Sequence, residues 1–246
     1  MDMEIIKRYF DNIHALLEMV IDTQSDAIDR AVTAAANTLE QSGMIYAFGT
    51  GHSHMLAEEL FYRAGGLVKV YPILDEPLML HANASRSSQV ERLPGYAATL
   101  LDNGISLTDK DCAFIFSNSG RNAVPVEMAL EMKKRNVRTI CITNVAQSSA
   151  AVSRHPSGQR LFELCDVVID NCGANGDAAM DIGNHRCGPT STIIGASILQ
   201  AIVCGVVEEL QKRGVNPEVF CSSNVDGGDS INEKYIDQYR REIPML

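Results

Sequence analysis

The stretch "CAFIFSNSGRNAVPVEMALEMKKRNVRTICIT", residues 112–143, contains the pattern that decides the fold. Its first part, Cys112–Ser117, is a continuous apolar run of the kind found in strands that are buried on both faces. A small polar loop follows, and a helix is predicted from about Asn122 to Lys134. A second apolar run, Arg138–Thr143, predicts another strand. Strand, helix and strand in this order indicate a parallel βαβ unit.

The same alternation extends outward from this unit in both directions. Further strands are predicted at Met44–Phe48, Leu67–Ile73 and Asp166–Asp170. A helix is predicted from Ser53 to about Ala64, and a long, apolar helix from Pro189 to Lys212. We therefore expect an α/β fold, a three-layer α-β-α sandwich with a five-stranded parallel sheet.

The two ends of the chain are predicted to flank this sheet. Apolar residues at a spacing of three and four predict one helix over residues 6–20 and a second from Ser25 to Leu39. Residues 1–42 would then be an N-terminal helical pair used for packing or dimerisation, and residues 43–213 the sheet domain. Residues 214–246 are expected to be a C-terminal tail that ends in a short helix.

Composition limits the class of partner. The 246 residues contain 21 Lys and Arg against 31 Asp and Glu, a net charge of −10, which is unfavourable for binding nucleic acid or an anionic membrane. The sequence has seven cysteines and no Cys-x-x-Cys motif, so we expect reduced thiols. The charged N-terminus has no apolar leader segment, so we expect a cytoplasmic location. The longest apolar stretch, residues 193–207, is shorter than a membrane span needs.

Two of the predicted strands end in loops of small polar residues that lead into helices. Backbone N–H groups at a helix start, together with hydroxyls, suit a phosphate-like anion. Capping and tight turns are the structural alternative, and Ser53 is expected to cap its helix. Thr143 and Asn144 end a third strand in the same way. The candidate binding residues are Gly49, Thr50, Gly51, His52, Ser53, Ser117, Asn118, Ser119 and Asn122.

A dinucleotide site is the rival interpretation of the first loop. Gly49 and Gly51 give Gly-x-Gly, but His54 stands where the third glycine belongs. The second strand ends at Tyr71 and Pro72 without the acidic residue that would bind a ribose. No Gly-Lys-Ser/Thr is present, so a P-loop is absent.

Three segments, "GMIYAFGTGHSHMLAEEL" (43–60), the stretch over residues 111–144 and "GPTSTIIGASILQAIV" (188–203), resemble the sugar isomerase (SIS) domain of phosphosugar-binding proteins. The resemblance covers roughly residues 37–213, identifies residues 43–213 as the SIS domain and implies a flavodoxin-like order of the five strands. Members of this family include phosphoheptose isomerase, the isomerase half of glucosamine-6-phosphate synthase and N-acetylmuramic acid 6-phosphate etherase. The whole chain looks most like stand-alone SIS proteins.

The family resemblance implies a ligand and an assembly. In these proteins a Ser-x-Ser-Gly-x-Ser/Thr loop holds the sugar phosphate, which corresponds here to Ser117, Asn118 and Ser119. Asn122 replaces the final Ser/Thr of that motif. The resemblance further implies a homodimer or homotetramer, with sites completed by a neighbouring subunit.

An aldose–ketose isomerase moves a proton between two carbons, which needs a base, usually Glu, and often a His. The candidates are Glu58 or Glu59 on the first helix of the SIS domain, Glu91 in the long polar segment 74–95, and His185 ahead of the last helix. Glu59 has an ion pair with Arg63 as its structural alternative. Glu91 has a solvated loop charge or a pair with Arg92, and His185 has a hydrogen bond at the helix start.

The reaction stays open among three functions. A sugar-phosphate isomerase is the expected one. A lyase or etherase acting on an amino-sugar 6-phosphate begins with the same proton abstraction, and the segment near Asp181 lacks the glutamate of the synthase. A non-catalytic phosphosugar sensor is the third, although the first forty residues are too short for the DNA-binding domain that such sensors usually carry.

Histidines offer the only hint of a metal in the sequence. His52, His54, His81 and His185 are the candidates, but their spacing matches no familiar zinc motif. We therefore expect no cofactor and no metal, with a divalent ion at these histidines as the alternative.

Overall fold

A computed structural model describes residues 3–246 of the chain. Its centre is a five-stranded sheet in which every neighbouring pair of strands is parallel. The order is β2-β1-β3-β4-β5, the flavodoxin-like order expected from the sequence. The strands are β1 (Ile45–Gly49), β2 (Val70–Ile73), β3 (Cys112–Phe116), β4 (Arg138–Thr143) and β5 (Val167–Asp170).

Helices cover both faces of this sheet, so the predicted three-layer architecture is confirmed. Apolar residues of α1, α2 and α7 pack on one face, and those of α3, α4, α5 and α8 on the other. The helices are α1 (Glu4–Glu40), α2 (His54–Leu60), α3 (Leu80–Val90), α4 (Tyr96–Asp102), α5 (Ala123–Lys134), α6 (Val145–Ala150), α7 (Ser191–Lys212) and α8 (Gly228–Tyr239).

Strand side chains alternate between these two cores, as the period of a strand requires. Ile45 and Phe114 face the α1 and α7 layer, whereas Tyr46 and Ile115 face the α5 layer. Both faces of each central strand are buried, which explains why these strands are continuous apolar runs in the sequence.

The predicted N-terminal helical pair is wrong, because α1 is one helix of 37 residues. The hydroxyl of Ser25, the predicted start of a second helix, instead donates to the Ile21 carbonyl within α1. No glycine or proline interrupts the segment, and its buried positions continue through Leu16, Val20 and Ala27 at helical spacing. A single amphipathic face therefore runs the length of α1.

A feature absent from our predictions lies between β5 and α7. Residues 178–189 form an antiparallel hairpin of β6 (Ala178–Ile182) and β7 (His185–Pro189). The helix α7 consequently begins at Ser191, two residues later than predicted.

The apolar stretch 193–207, which the sequence suggested is shorter than a membrane span, lies inside the longer helix α7. With 22 residues it is long and apolar enough, by those criteria alone, to cross a membrane. In the fold it packs against α1, α2 and the sheet, which accounts for an apolar helix in a protein core. The C-terminal tail is likewise packed, with Phe220, Tyr239 and Ile243 buried in the α5 layer.

Candidate functional site

The polar loops predicted to bind an anion lie side by side at the carboxyl edge of the sheet. Gly49 at the end of β1 pairs with Phe116 of β3, which pairs with Ile142 of β4, so the loops that follow are neighbours. A small cleft opens between them. It is lined by Ser53, Leu56, Ser117, Asn118, Ile142, Asn171, Ser191 and Thr192.

Two serine hydroxyls at this edge are available to a ligand. Ser53 and Ser119 are half-buried, and within residues 3–246 neither side chain has a hydrogen-bond partner. The expected capping role of Ser53 is wrong. Its backbone is already helical (φ −67°, ψ −18°), so the 3₁₀ turn Gly51–Ser53 continues into α2 and the side chain makes no cap.

Ser117 and Asn118 shape the loop from within. The Ser117 hydroxyl accepts a 3.2 Å hydrogen bond from the Gly120 N–H. Asn118 Oδ1 accepts a 2.7 Å bond from Asn171 Nδ2, and its own amide donates to Gln147 Oε1 over 3.3 Å. The Asn118 side chain is thus engaged with the protein, while its loop faces the cleft.

Asn171 and Gln147 belong to a network that sequence reasoning missed. Asn144 Nδ2 donates to the Gly173 carbonyl over 2.6 Å, and its Oδ1 accepts from the Gln147 N–H over 2.8 Å. The Gly173 N–H donates to Asn171 Oδ1 over 3.0 Å. The available signal was the Asn- and Gly-rich run after the fifth strand, residues 171–176.

Glu91 contacts the first loop through its carboxylate and the start of α5 through its backbone carbonyl. Its Oε2 accepts a 2.9 Å hydrogen bond from the buried Thr50 hydroxyl. Its backbone carbonyl accepts from the Val124 N–H in the first turn of α5 over 3.0 Å. Thr50 therefore positions Glu91, and the half-buried carboxylate lies at the edge where the ligand loops meet.

Glu59 is held elsewhere. It forms the ion pair with Arg63 that was its structural alternative, and Gln200 of α7 donates to its Oε1 over 3.0 Å. Six residues of helix, about 9 Å along the axis, separate it from Ser53. Glu58 is exposed, with Oε1 3.8 Å from His54 Nε2.

The structure does not bring the predicted histidines together at the loops. His185 is exposed at the tip of the β6–β7 hairpin, roughly 17 Å of extended strand from Thr190. His52 is exposed, whereas His54 is buried with Nδ1 against the Gly51 carbonyl and its ring centroid 6.4 Å from that of His81. Within residues 3–246, no three His, Cys, Asp or Glu side chains cluster as metal ligands.

Asn122 meets an arginine rather than open solvent. Arg154, on the segment that follows α6, donates from Nη1 to Asn122 Oδ1 over 2.8 Å. Asn122 precedes the first residue of α5 but makes no side-chain cap there. Its amide Nδ2 has no hydrogen-bond partner among the described residues.

Asp177 organises the start of α7 beside the cleft. Its Oδ1 accepts from the N–H groups of Thr190 and Ser191 over 3.1 and 2.8 Å. Its Oδ2 accepts from the Ser191 hydroxyl over 2.5 Å. A carboxylate in this place satisfies N–H groups that the helix leaves unpaired and neutralises the positive end of its dipole.

Replacing Asp177 with Ala should therefore destabilise the fold by about 1–2 kcal/mol, because the first turn of α7 loses its cap. The melting temperature should fall by roughly 2–8 °C in a thermal scan. Asp177→Asn retains one acceptor and should lose less. Equal melting temperatures for the wild type and the Ala variant would contradict this role.

The chain is similar in sequence to a known domain family and to proteins of two bacteria. Residues 8–144 match the SIS domain family. Proteins described as UPF0309 protein from Geobacillus thermodenitrificans and from Listeria innocua are 42% and 41% identical over 244 residues. In each comparison 98% of both chains is covered, so the likeness includes the hairpin and the C-terminal segment.

Solved structures show the same fold at low sequence identity. A phosphoheptose isomerase from Francisella tularensis superposes with a TM-score of 0.58 at 14% identity, over 85% of this chain and 99% of that one. A phosphoheptose isomerase from Neisseria gonorrhoeae gives 0.56 at 13% identity, over 85% and 100%. The sugar isomerase domain of an RpiR transcription factor from Sphaerobacter thermophilus gives 0.52 at 15% identity, over 94% and 97%.

Proposed function

We propose, from the premise that the chain belongs to the SIS domain family, that it binds a sugar phosphate at the carboxyl edge of its sheet. The observation that carries this proposal is a pair of hydroxyls on two adjacent loops, those of Ser53 and Ser119, that make no hydrogen bond within residues 3–246. The start of α5 adds the backbone N–H of Ala123, since that of Val124 donates to the Glu91 carbonyl and Pro125 has none. A backbone donor of this kind, together with hydroxyls, suits a phosphate. This local arrangement opposes the net charge of −10.

The proposed reaction is an aldose–ketose isomerisation with Glu91 as the base. Its contact with Thr50 keeps the carboxylate beside the loops that would hold the phosphate. Glu59 is the weaker candidate, since Arg63 and Gln200 occupy both of its oxygens. A carboxylate at Glu91 would remove the proton from one carbon and return it to the next, as general acid–base catalysis requires.

His185 belongs to this mechanism only through a second subunit. The hairpin carries it away from the cleft of its own chain. We propose a homodimer or homotetramer in which this tip reaches a neighbour. An apolar groove open to solvent supports assembly, since exposed apolar patches mark surfaces where protein subunits associate. It is lined by Ile5, Ile6, Tyr9, Met180, Ile182, Cys187 and Gly188.

A thermal-shift panel of sugar phosphates tests the proposal. A ligand present at a hundred times its Kd stabilises the folded state by about 2.7 kcal/mol, so the melting temperature should rise by roughly 5–10 °C. The unphosphorylated sugar and inorganic phosphate are the ligand controls, and Ser119→Ala should reduce the shift. A panel in which no sugar phosphate raises the melting temperature would refute the proposed function.

Product analysis distinguishes the three candidate functions. A ketose formed from an aldose phosphate identifies the isomerase. Lactate released from N-acetylmuramic acid 6-phosphate identifies the etherase. A thermal shift without turnover of any ligand in the panel identifies a sensor.

A further inference from the structure

Three arginines gather at the edge of the proposed phosphate loop. Arg121 lies within that loop, two residues after Ser119. The Arg154 N–H donates to the Arg121 carbonyl over 2.7 Å, and its guanidinium donates to Asn122. Desolvation of Arg154 and the nearby positive charges of Arg121 and Arg92 lower the pKa of Arg154.

These positive charges lack sufficient counter-charge. Among residues 3–246, none of the three arginines has a carboxylate within ion-pair distance. Within the described part of the chain, Glu91 is the carboxylate whose charge acts on Arg154, and its oxygen already accepts from Thr50. The three positive charges therefore exceed the negative charge near them, in a chain whose net charge is −10.

One donor of this group is buried without a partner. Arg121 Nε is inaccessible to solvent and, within the described residues, makes no hydrogen bond. A buried donor left without an acceptor destabilises the fold. Elsewhere the fold pairs its partly buried arginines with carboxylates, as Arg135 with Glu131 and Arg213 with Glu209. The donor at the loop is therefore suited to accepting an anionic partner.

We propose that Arg92, Arg121 and Arg154 form a subsite for a second anionic group on the sugar phosphate. This inference rests on the proposed function and narrows its substrate class to sugar phosphates that also carry a carboxylate or a second phosphate. Guanidinium groups are suited to both groups, since each offers a planar pair of donors that matches two oxygens. The phosphate itself stays with Ser53, Ser119 and the start of α5.

Matched ligand pairs test this subsite in calorimetric titrations at constant ionic strength. Glucose 6-phosphate is compared with 6-phosphogluconate, and fructose 6-phosphate with fructose 1,6-bisphosphate. The carboxylate pair and the bisphosphate pair distinguish the two kinds of second group. At least one doubly anionic ligand should bind about tenfold more tightly than its singly phosphorylated match, the gain typical of a charge-assisted hydrogen bond.

Arginine variants locate the gain. Arg121→Gln and Arg154→Gln should remove most of the tenfold preference while changing affinity for the singly phosphorylated ligand by less than about twofold. Arg138→Gln is the matched control. It removes the same charge from the exposed amino end of β4, at the opposite edge of the sheet, and should leave both affinities unchanged.

The remaining outcomes overturn the inference in distinguishable ways. Equal affinity within both ligand pairs, or an equal loss for both members in Arg121→Gln, overturns the subsite and leaves the proposed phosphosugar function standing. If Arg138→Gln lowers the preference for doubly anionic ligands as much as Arg121→Gln does, the preference arises from the overall charge of the protein. That result also overturns the subsite. Failure of all four ligands to bind overturns the subsite together with the proposed function.

Discussion

Replacing Glu91 with Gln should lower kcat for a sugar-phosphate substrate by about a hundredfold or more, while its affinity changes by less than about threefold. The amide keeps the size of the side chain and still accepts a hydrogen bond from the Thr50 hydroxyl. It has no basic oxygen for removing a proton from carbon. Loss of the base therefore appears in kcat rather than in binding.

Glu59→Gln is the matched control for this experiment. It makes the same chemical change on α2, where Arg63 and Gln200 hold the carboxylate. We expect kcat within about threefold of the wild type, with ligand binding measured by thermal shift to confirm an intact site. A hundredfold loss in Glu59→Gln together with full activity in Glu91→Gln would transfer the role of the base to α2.

Gly49→Ala should destabilise the fold by about 3 kcal/mol and abolish the sugar-phosphate thermal shift. A methyl group at residue 49 would lie 2.9 Å from the His54 nitrogen and closer still to the Ser53 carbonyl group. These are backbone atoms and cannot move aside as a side chain does. The loop would have to leave the end of β1, and the melting temperature should fall by roughly 6–12 °C.

Gly51→Ala, two residues away in the same loop, is the control. Gly51 has a φ of +56° but open space around the position of a Cβ atom. An alanine there meets only backbone strain of about 1 kcal/mol, so the melting temperature should fall by roughly 2–4 °C. Equal losses in the two variants would contradict the close approach at Gly49.

The sheet and its edge were predictable because their determinants are local. Short continuous apolar runs such as Cys112–Phe116 are typical of buried strands when turn residues bound them. Small polar loops mark where each run ends. The order of the strands, however, came with the family resemblance. Apolar periodicity alone did not distinguish one long helix from two, because Ser25 is acceptable both as a cap and inside α1.

The side-chain partners at the site were not predictable for a different reason. Asn118 donates and accepts across three loops that are distant in sequence, so its role depends on how β3, β4 and β5 align. The β6–β7 hairpin is short, and exposed residues such as His185 and Arg186 gave it no apolar pattern. Glu91 was predicted as a candidate, but only its contact with Thr50 separated it from Glu59.

The packing of α1 against α7 has a consequence for synthesis of the protein on the ribosome. These two helices pack extensively against each other, yet residues 41–190, 150 residues in all, lie between them in the chain. At about 5–20 residues per second, α1 emerges roughly 10–30 s before α7 exists. Throughout that interval the apolar stripe of the nascent helix lacks its partner and stays exposed, which makes this stage of synthesis the one most open to aggregation.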